Sequence, residues 1–225
     1  DVASMVVRRL GKSYLDYAVD PFVSGVYAGN PHTLITRFAL PKLYNLEQNY
    51  GSFIRGGIAK SKEKKSERER LATKNVFSAV GGLSRLTEAL AQSVGESNII
   101  LGAKEVVVTP MNGQWQVSYK TATGETISLC SQHVITTVGA YALKTMLPFV
   151  EEADMAAISA LRYAPIIQVS VGLSDVHGVE NKAFGGLIPT CEKQPFLGIL
   201  FPSACFSQRC PTAGALYSFF IGGTN

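Results

Sequence analysis

Apolar side chains recur at helical spacing from the start of the chain: Val2, Val6 and Leu10, then Tyr14, Leu15 and Ala18. Gly11 predicts a break between two short helices. The stretch PFVSGVYAGNP, Pro21 to Pro31, has bracketing prolines, two glycines and no charge, and reads as an apolar connector. Leu40 to Ile54 returns to a helical pattern, with Leu43, Leu46 and Tyr50 on one side and Lys42, Asn45 and Gln48 on the other. The run KSKEKKSERER, residues 60–70, has no apolar position and is expected to be a solvated loop, with contact to lipid head groups as its functional alternative.

The period then changes. NVFSAV (75–80) predicts a strand, Gly81-Gly82 a turn, and Leu83, Leu86, Ala89, Leu90 and Val94 one stripe of a helix. NIIL, EVVVT, QWQVSYKT, ETISLC and HVITTV read as extended segments, with MNGQ and ATGE as hairpin turns. Short helices are expected over 140–147 and 151–161. A second set of strands follows: PIIQVSVGL, AFGGLIP, PFLGILFP and ALYSFFIGG, punctuated by Gly and Pro as in an antiparallel sheet. The fold class is thus mixed, α+β or α/β, in three blocks: helical (1–70), a helix with a β-meander (71–150) and strand-rich (151–225).

Composition narrows the function classes. The chain has 225 residues, 46% of them hydrophobic, enough for a sizeable core. A net charge of +4 is too mild for a typical nucleic-acid binder. Cys130, Cys191, Cys205 and Cys210 form no CxxC, so no zinc site is expected; free, mostly buried thiols in a reducing compartment are. No apolar run approaches the ~18 residues that span a bilayer. The first residue is Asp1, so the sequence reads as a segment of a longer parent.

Candidate chemistry is sparse. The chain has no nucleophile elbow, Walker loop, HExxH or GxGxxG. His32, His133 and His177 have no spaced partners, and no catalytic acid or base is assigned. What stands out is the pairing of Phe184, Leu187, Leu200, Phe219 and Phe220 with Gly185, Gly186, Gly198, Gly222 and Gly223. It fits ordinary core, or a broad apolar pocket to which glycines give room and Leu and Phe give walls.

The runs PFVSGVYAGNP, LPKLYNLEQNYGSFIRGG, GGLSRLTEAL, FGGLIP, LGILF and FFIGGTN, in this order, resemble the oxygen-dependent, FAD-containing protoporphyrinogen oxidases. GGLxxLxxAL is shared more widely, with amine oxidase and phytoene desaturase flavoproteins. The resemblance implies a central segment of such an enzyme. Residues 1–70 would be a helical membrane-binding and substrate-cavity part, 71–150 the middle of the FAD-binding domain, and 151–225 an incomplete β-sheet substrate domain. Gly25, Phe184, Leu187, Leu200 and Phe220 would bind substrate, and Val106 and Val107 would pass the adenine end of FAD.

The implied partners are a porphyrinogen, molecular oxygen, a membrane surface and a second copy in a homodimer. The implied location is cytoplasmic, peripheral to the cytoplasmic membrane. The family's GxGxxG loop and its propionate-binding arginine would lie outside this segment, so the isolated chain is expected to be inactive. Asn30 stands where many relatives have aspartate, and Thr137 to Ala140 lack a proline common there. Coproporphyrinogen III as substrate, a related amine oxidase or desaturase, and a non-catalytic tetrapyrrole-binding or membrane-docking module are the alternatives.

Overall fold

The structure is a computed structural model of the chain and describes residues 1–64, 66–73, 75–179 and 181–224. Two compact units emerge: 1–78 with 164–225, and 79–163. The architecture is mixed helix and antiparallel sheet.

In the first unit, the helix Val2–Leu10 starts at Asp1, whose side chain accepts the Ser4 N–H in a capping box, and ends at Gly11, φ +91°. Lys12–Tyr14 continues into a π-helical stretch, Leu15–Val19, which runs on into the helix Asp20–Tyr27. The apolar connector expected over 21–31 is thus mostly helix. Pro21 follows directly on the π-helical stretch, where its missing N–H removes one bond of the ladder without ending the helix, and the chain leaves the helix only at Ala28, φ +52°. Val2, Ala3, Met5, Val6, Leu15 and Val23 form the buried core, with Leu34, Leu40, Leu43 and Phe53 packed against it.

The expected helix over 40–54 is two helices, Pro41–Tyr50 and Phe53–Ser61, divided at Gly51, φ +66°. The charged run is not all loop. Its end forms most of the helix Glu67–Leu71, which starts at a Ser66–Glu69 capping box; Lys65, in the same run, lies outside the described residues.

Glu47 ties the first helix to Pro41–Tyr50. Arg8 bonds it through Nη1 at 2.5 Å and Nη2 at 3.0 Å, and Arg9 through Nε at 2.7 Å. The Arg8 guanidinium, helped by Arg9, pulls the Glu47 carboxyl from 4.5 down to about 2. The folded value lies below the unfolded one. The pair's stabilisation is therefore complete above about pH 4.5 and is lost as pH falls toward 2. Urea midpoints of wild type and Glu47→Gln should differ most near neutral pH and converge on acidification; a constant difference would refute the coupling.

The sheet of this unit comprises β4 (Ile166–Leu173), β5 (Gly185–Leu187), β6 (Gly198–Leu200) and β7 (Ala215–Gly222), in the order β4-β7-β6-β5, all antiparallel. The four strands lie within the four segments expected from the sequence.

In the second unit, the helix Ser84–Val94 precedes a meander of β1 (Lys104–Met111), β2 (Gln114–Lys120) and β3 (Thr126–Ser131). The β1–β2 turn places Asn112 at φ +48° and Gly113 at φ +79°, as a two-residue hairpin requires. Helices Ala140–Met146 and Glu152–Ser159 follow, and Trp115 packs on Phe149 with ring centres 5.3 Å apart.

Three expected strands are not strands: 75–80, 98–101 and 133–138 join no ladder among the described residues. An extended segment becomes a strand only when a neighbour satisfies its N–H and C=O groups. Here the side chains instead face solvent, with Phe77 85%, Leu101 86% and Ile135 89% exposed. The thiols also differ from expectation: Cys130, Cys191 and Cys205 are exposed and Cys210 is half-buried.

Candidate functional site

One side of the helix Asp20–Tyr27 and one face of the β5–β6–β7 sheet enclose a cavity of about 400 Å³. Phe22, Gly25 and Val26 line it from the helix, at the i, i+3, i+4 spacing of a single helical face. Phe184, Leu187, Leu200 and Phe220 line it from the sheet, beside Gly185, Gly186, Gly198 and Ile199. The volume is that of an ordinary small-molecule site, and none of the lining residues is charged.

Register explains the convergence. Leu187 pairs with Gly198, and Gly198 pairs with Phe220. Paired residues of antiparallel strands share a face, and so does the residue two along. Leu187, Leu200 and Phe220 are therefore neighbours on one surface, with Gly198 as the gap between the Leu187 and Phe220 side chains. Phe184 is held at the rim by the Phe201 N–H, which donates to its carbonyl at 3.0 Å. Phe184 is 55% exposed and Leu187 43% exposed, so the walls are open to an incoming ligand.

Gly25 matters for a more local reason than its sequence suggests. A Cβ on Gly25 would overlap Leu187 Cδ2. A Cβ on Gly198 would approach the same Leu187 methyl to 3.2 Å and the Gly186 carbonyl oxygen to 2.8 Å. Leu187 is thus seated between two glycines, one on the helix and one on the sheet. The missing side chain at Gly25 first makes room for a protein side chain, and through it for the cavity.

All five residues expected to bind substrate surround this one cavity. Phe22 and Val26 complete it and were not anticipated. The connector reading hid them; scoring the same stretch at helical spacing would have aligned Phe22, Gly25 and Val26.

Val106 and Val107 lie in the other unit, on β1. The β1–β2 pairing is interrupted between Lys104 and Val107, where Glu105 takes φ +50°. Among the described residues, Glu105 and Val106 have no cross-strand partner in this ladder. β1 is the outer strand of this sheet among the described residues, and its outer edge presents main-chain groups of the kind an adenine edge would bond, so the residues present are compatible with a flavin dinucleotide. No group of three or more His, Cys, Asp or Glu able to hold a metal occurs among the described residues.

Comparison with known proteins agrees with this architecture. The flavin containing amine oxidoreductase family model matches residues 2–225. Protoporphyrinogen oxidase 1 of Arabidopsis thaliana is 32% identical over 240 residues, covering 99% of this chain and 44% of its own length. The Homo sapiens protoporphyrinogen oxidase is 30% identical over 234 residues, with 99% and 48% covered. The chain thus spans about half the length of these relatives.

Among solved structures, a candidate protoporphyrinogen oxidase from Exiguobacterium sp. 255-15 superposes with a TM-score of 0.74 at 18% identity, over 99% of this chain and 45% of the other. Reduced UDP-galactopyranose mutase does so at 0.64 and 15%, over 100% and 46%. At these identities the likeness concerns the fold. The family match runs through both the helix and the sheet that wall the cavity: the chain belongs to the flavin containing amine oxidoreductase family.

Proposed function

We propose that the chain is the central segment of an FAD-dependent protoporphyrinogen oxidase, which dehydrogenates protoporphyrinogen IX to protoporphyrin IX in haem biosynthesis with oxygen as acceptor. The observation that carries this reading is the cavity itself: an uncharged space of about 400 Å³ between Gly25 and the Leu187–Leu200–Phe220 surface. A tetrapyrrole is a broad apolar disc with carboxylate arms. Leu187 and Leu200 would bear on one face of the ring, and Phe220, with Phe184 near the rim, would stack on it. With no charge in the lining, the carboxylate arms must find their cation elsewhere.

When bound, FAD supplies the two-electron acceptor, and each pair of hydrogens leaving the ring would reduce one molecule of oxygen to peroxide. Val106 and Val107 would take the adenine end. This chain's own residues contribute orientation of the disc and exclusion of water. No lining side chain is an acid or base, so these residues do not move the protons. In this reading residues 1–70 form the membrane-binding and cavity part, 71–150 the middle of the FAD domain and 151–225 the substrate domain. Turnover by the full-length protein tests it: protoporphyrinogen should be oxidised with stoichiometric peroxide. Faster oxidation of coproporphyrinogen III, or no oxidation of either, would refute it.

We propose peripheral attachment to the cytoplasmic face of a membrane as well. No helix among the described residues is long and apolar enough to cross one. Ile54 and Ile58, one turn apart on the helix Phe53–Ser61, are 76% and 55% exposed, and Phe38 is 74% exposed. Such side chains suit insertion at a headgroup boundary, with the lysines of 60–64 over anionic lipid. The protein should float with anionic vesicles, and Ile54→Asp with Ile58→Asp should abolish flotation; retention of the double variant on the vesicles would refute this surface.

A further inference from the structure

Asp20 is a carboxylate only 8% exposed. Buried acids are rare unless paired. Its partner comes from 170 residues along the chain: Oδ2 accepts the Thr190 N–H at 2.7 Å, and Oδ1 accepts the Thr190 hydroxyl at 3.0 Å. Asp20 opens the helix that walls the cavity, and Thr190 follows β5 by three residues. Both bonds cross to the sheet side rather than capping the helix's own first-turn N–H groups.

The other end of this helix is tied as well. The Ala28 carbonyl accepts the Thr224 N–H at 3.0 Å and the Thr224 hydroxyl at 3.2 Å, just beyond β7. The helix wall is strapped to the sheet wall at both ends. Between the straps lies the tight seat in which Leu187 rests against Gly25. A contact with no room for one extra carbon is sensitive to small shifts of either wall.

We propose that Asp20 is a positioning residue for the cavity: its two bonds to Thr190 hold β5 against the helix, fix Leu187 in its seat and so set the slot's width for a planar ring. The width-setting claim rests on the macrocycle reading above; the seating of Leu187 does not.

The test uses the purified full-length protein with δ-methyl-labelled leucine and titrates protoporphyrin IX. Leu187 methyl carbon shifts report its side-chain rotamer. In Asp20→Ala they should move toward rotamer-averaged values, and the protoporphyrin IX Kd should rise about tenfold, the scale of a lost charge-assisted hydrogen bond. Thr190→Val, which removes one bond and keeps the other, should move both in the same direction by less. Asp20→Asn retains an acceptor for the Thr190 N–H and should recover part of both.

A merely structural role would lower the unfolding temperature and leave the Leu187 methyls unchanged well below it. Unchanged methyls in folded Asp20→Ala, or in Thr190→Val should the first not fold, overturn the proposal. Moved methyls with unchanged affinity overturn the width-setting part. Moved methyls in a protein that never binds protoporphyrin IX support the seating of Leu187 and sink the macrocycle reading instead.

Discussion

Gly25→Leu is expected to lower porphyrinogen turnover by about a hundredfold while the protein stays folded. The first added carbon already overlaps Leu187 Cδ2, so Leu187 must leave its seat. Gly198 closes that seat from the sheet side, and Leu187 lines the cavity, so the displaced side chain is expected to enter it. The displaced side chain and the new one would then share the volume of the ring. Folding should suffer little. Gly25 is inside a helix, where replacing glycine gains up to about 1 kcal/mol of propensity, and the contact to be relieved is the tip of a movable side chain rather than backbone. The geometry also predicts a rescue: Leu187→Ala in the Gly25→Leu background should recover part of the lost activity, because it removes the group displaced into the slot. Steady-state rates with a thermal melt check both. Unaltered turnover in Gly25→Leu would place the slot elsewhere.

Gly222→Ala should have the largest effect on stability, about 3 kcal/mol, or an unfolding midpoint lower by roughly 6–12 °C. Gly222 ends β7 with φ +118°, outside the range of an L side chain, and a Cβ would run into the Pro165 carbonyl oxygen. That oxygen cannot yield easily, because it accepts the Gly223 N–H at 2.8 Å. Phe220 is two residues back on the same strand, so the cavity wall should loosen with the strand end. Gly172 is the control: it pairs across the same two strands, with Leu216, and its Cβ direction is open. Gly172→Ala should change stability by less than about 0.5 kcal/mol. Equal melting of the two variants would refute the argument.

The parts of the fold legible in the sequence are those whose interactions are local or repeat with a short period. The helix Ser84–Val94 follows from its leucine stripe, and the β1–β2 hairpin from Asn112-Gly113. β4 and β7 stand out as long runs rich in β-branched and aromatic residues with a glycine at or next to the end. The helix Asp20–Tyr27 was obscured because glycine and proline in sequence signal a turn. In three dimensions Pro21 is taken up beside the π-helical stretch without ending the helix, and Gly25 is demanded by a neighbour from β5.

The opposite error occurred at 75–80, 98–101 and 133–138. Their apolar, β-branched residues have the propensity of strands, but propensity supplies no hydrogen-bonding partner. At the site, the resemblance named residues that register then brings together: Leu187, Gly198 and Phe220 are linked by consecutive cross-strand pairs. Nothing in the order of residues along the chain announces such pairs. Phe22 and Val26 share a helical face with Gly25 that spacing could have shown, but the sheet they face, like the Asp20–Thr190 bonds, lies more than 150 positions away and could not be read from spacing.

The central claim is that Gly25 and the Leu187–Leu200–Phe220 surface seat a planar macrocycle, and a crystal structure of the full-length protein with protoporphyrin IX tests it most directly. The account predicts ring density between the helix Asp20–Tyr27 and β5–β7, in van der Waals contact with Leu187, Leu200 and Phe220. A ring bound elsewhere, with this cavity left to solvent, would contradict it.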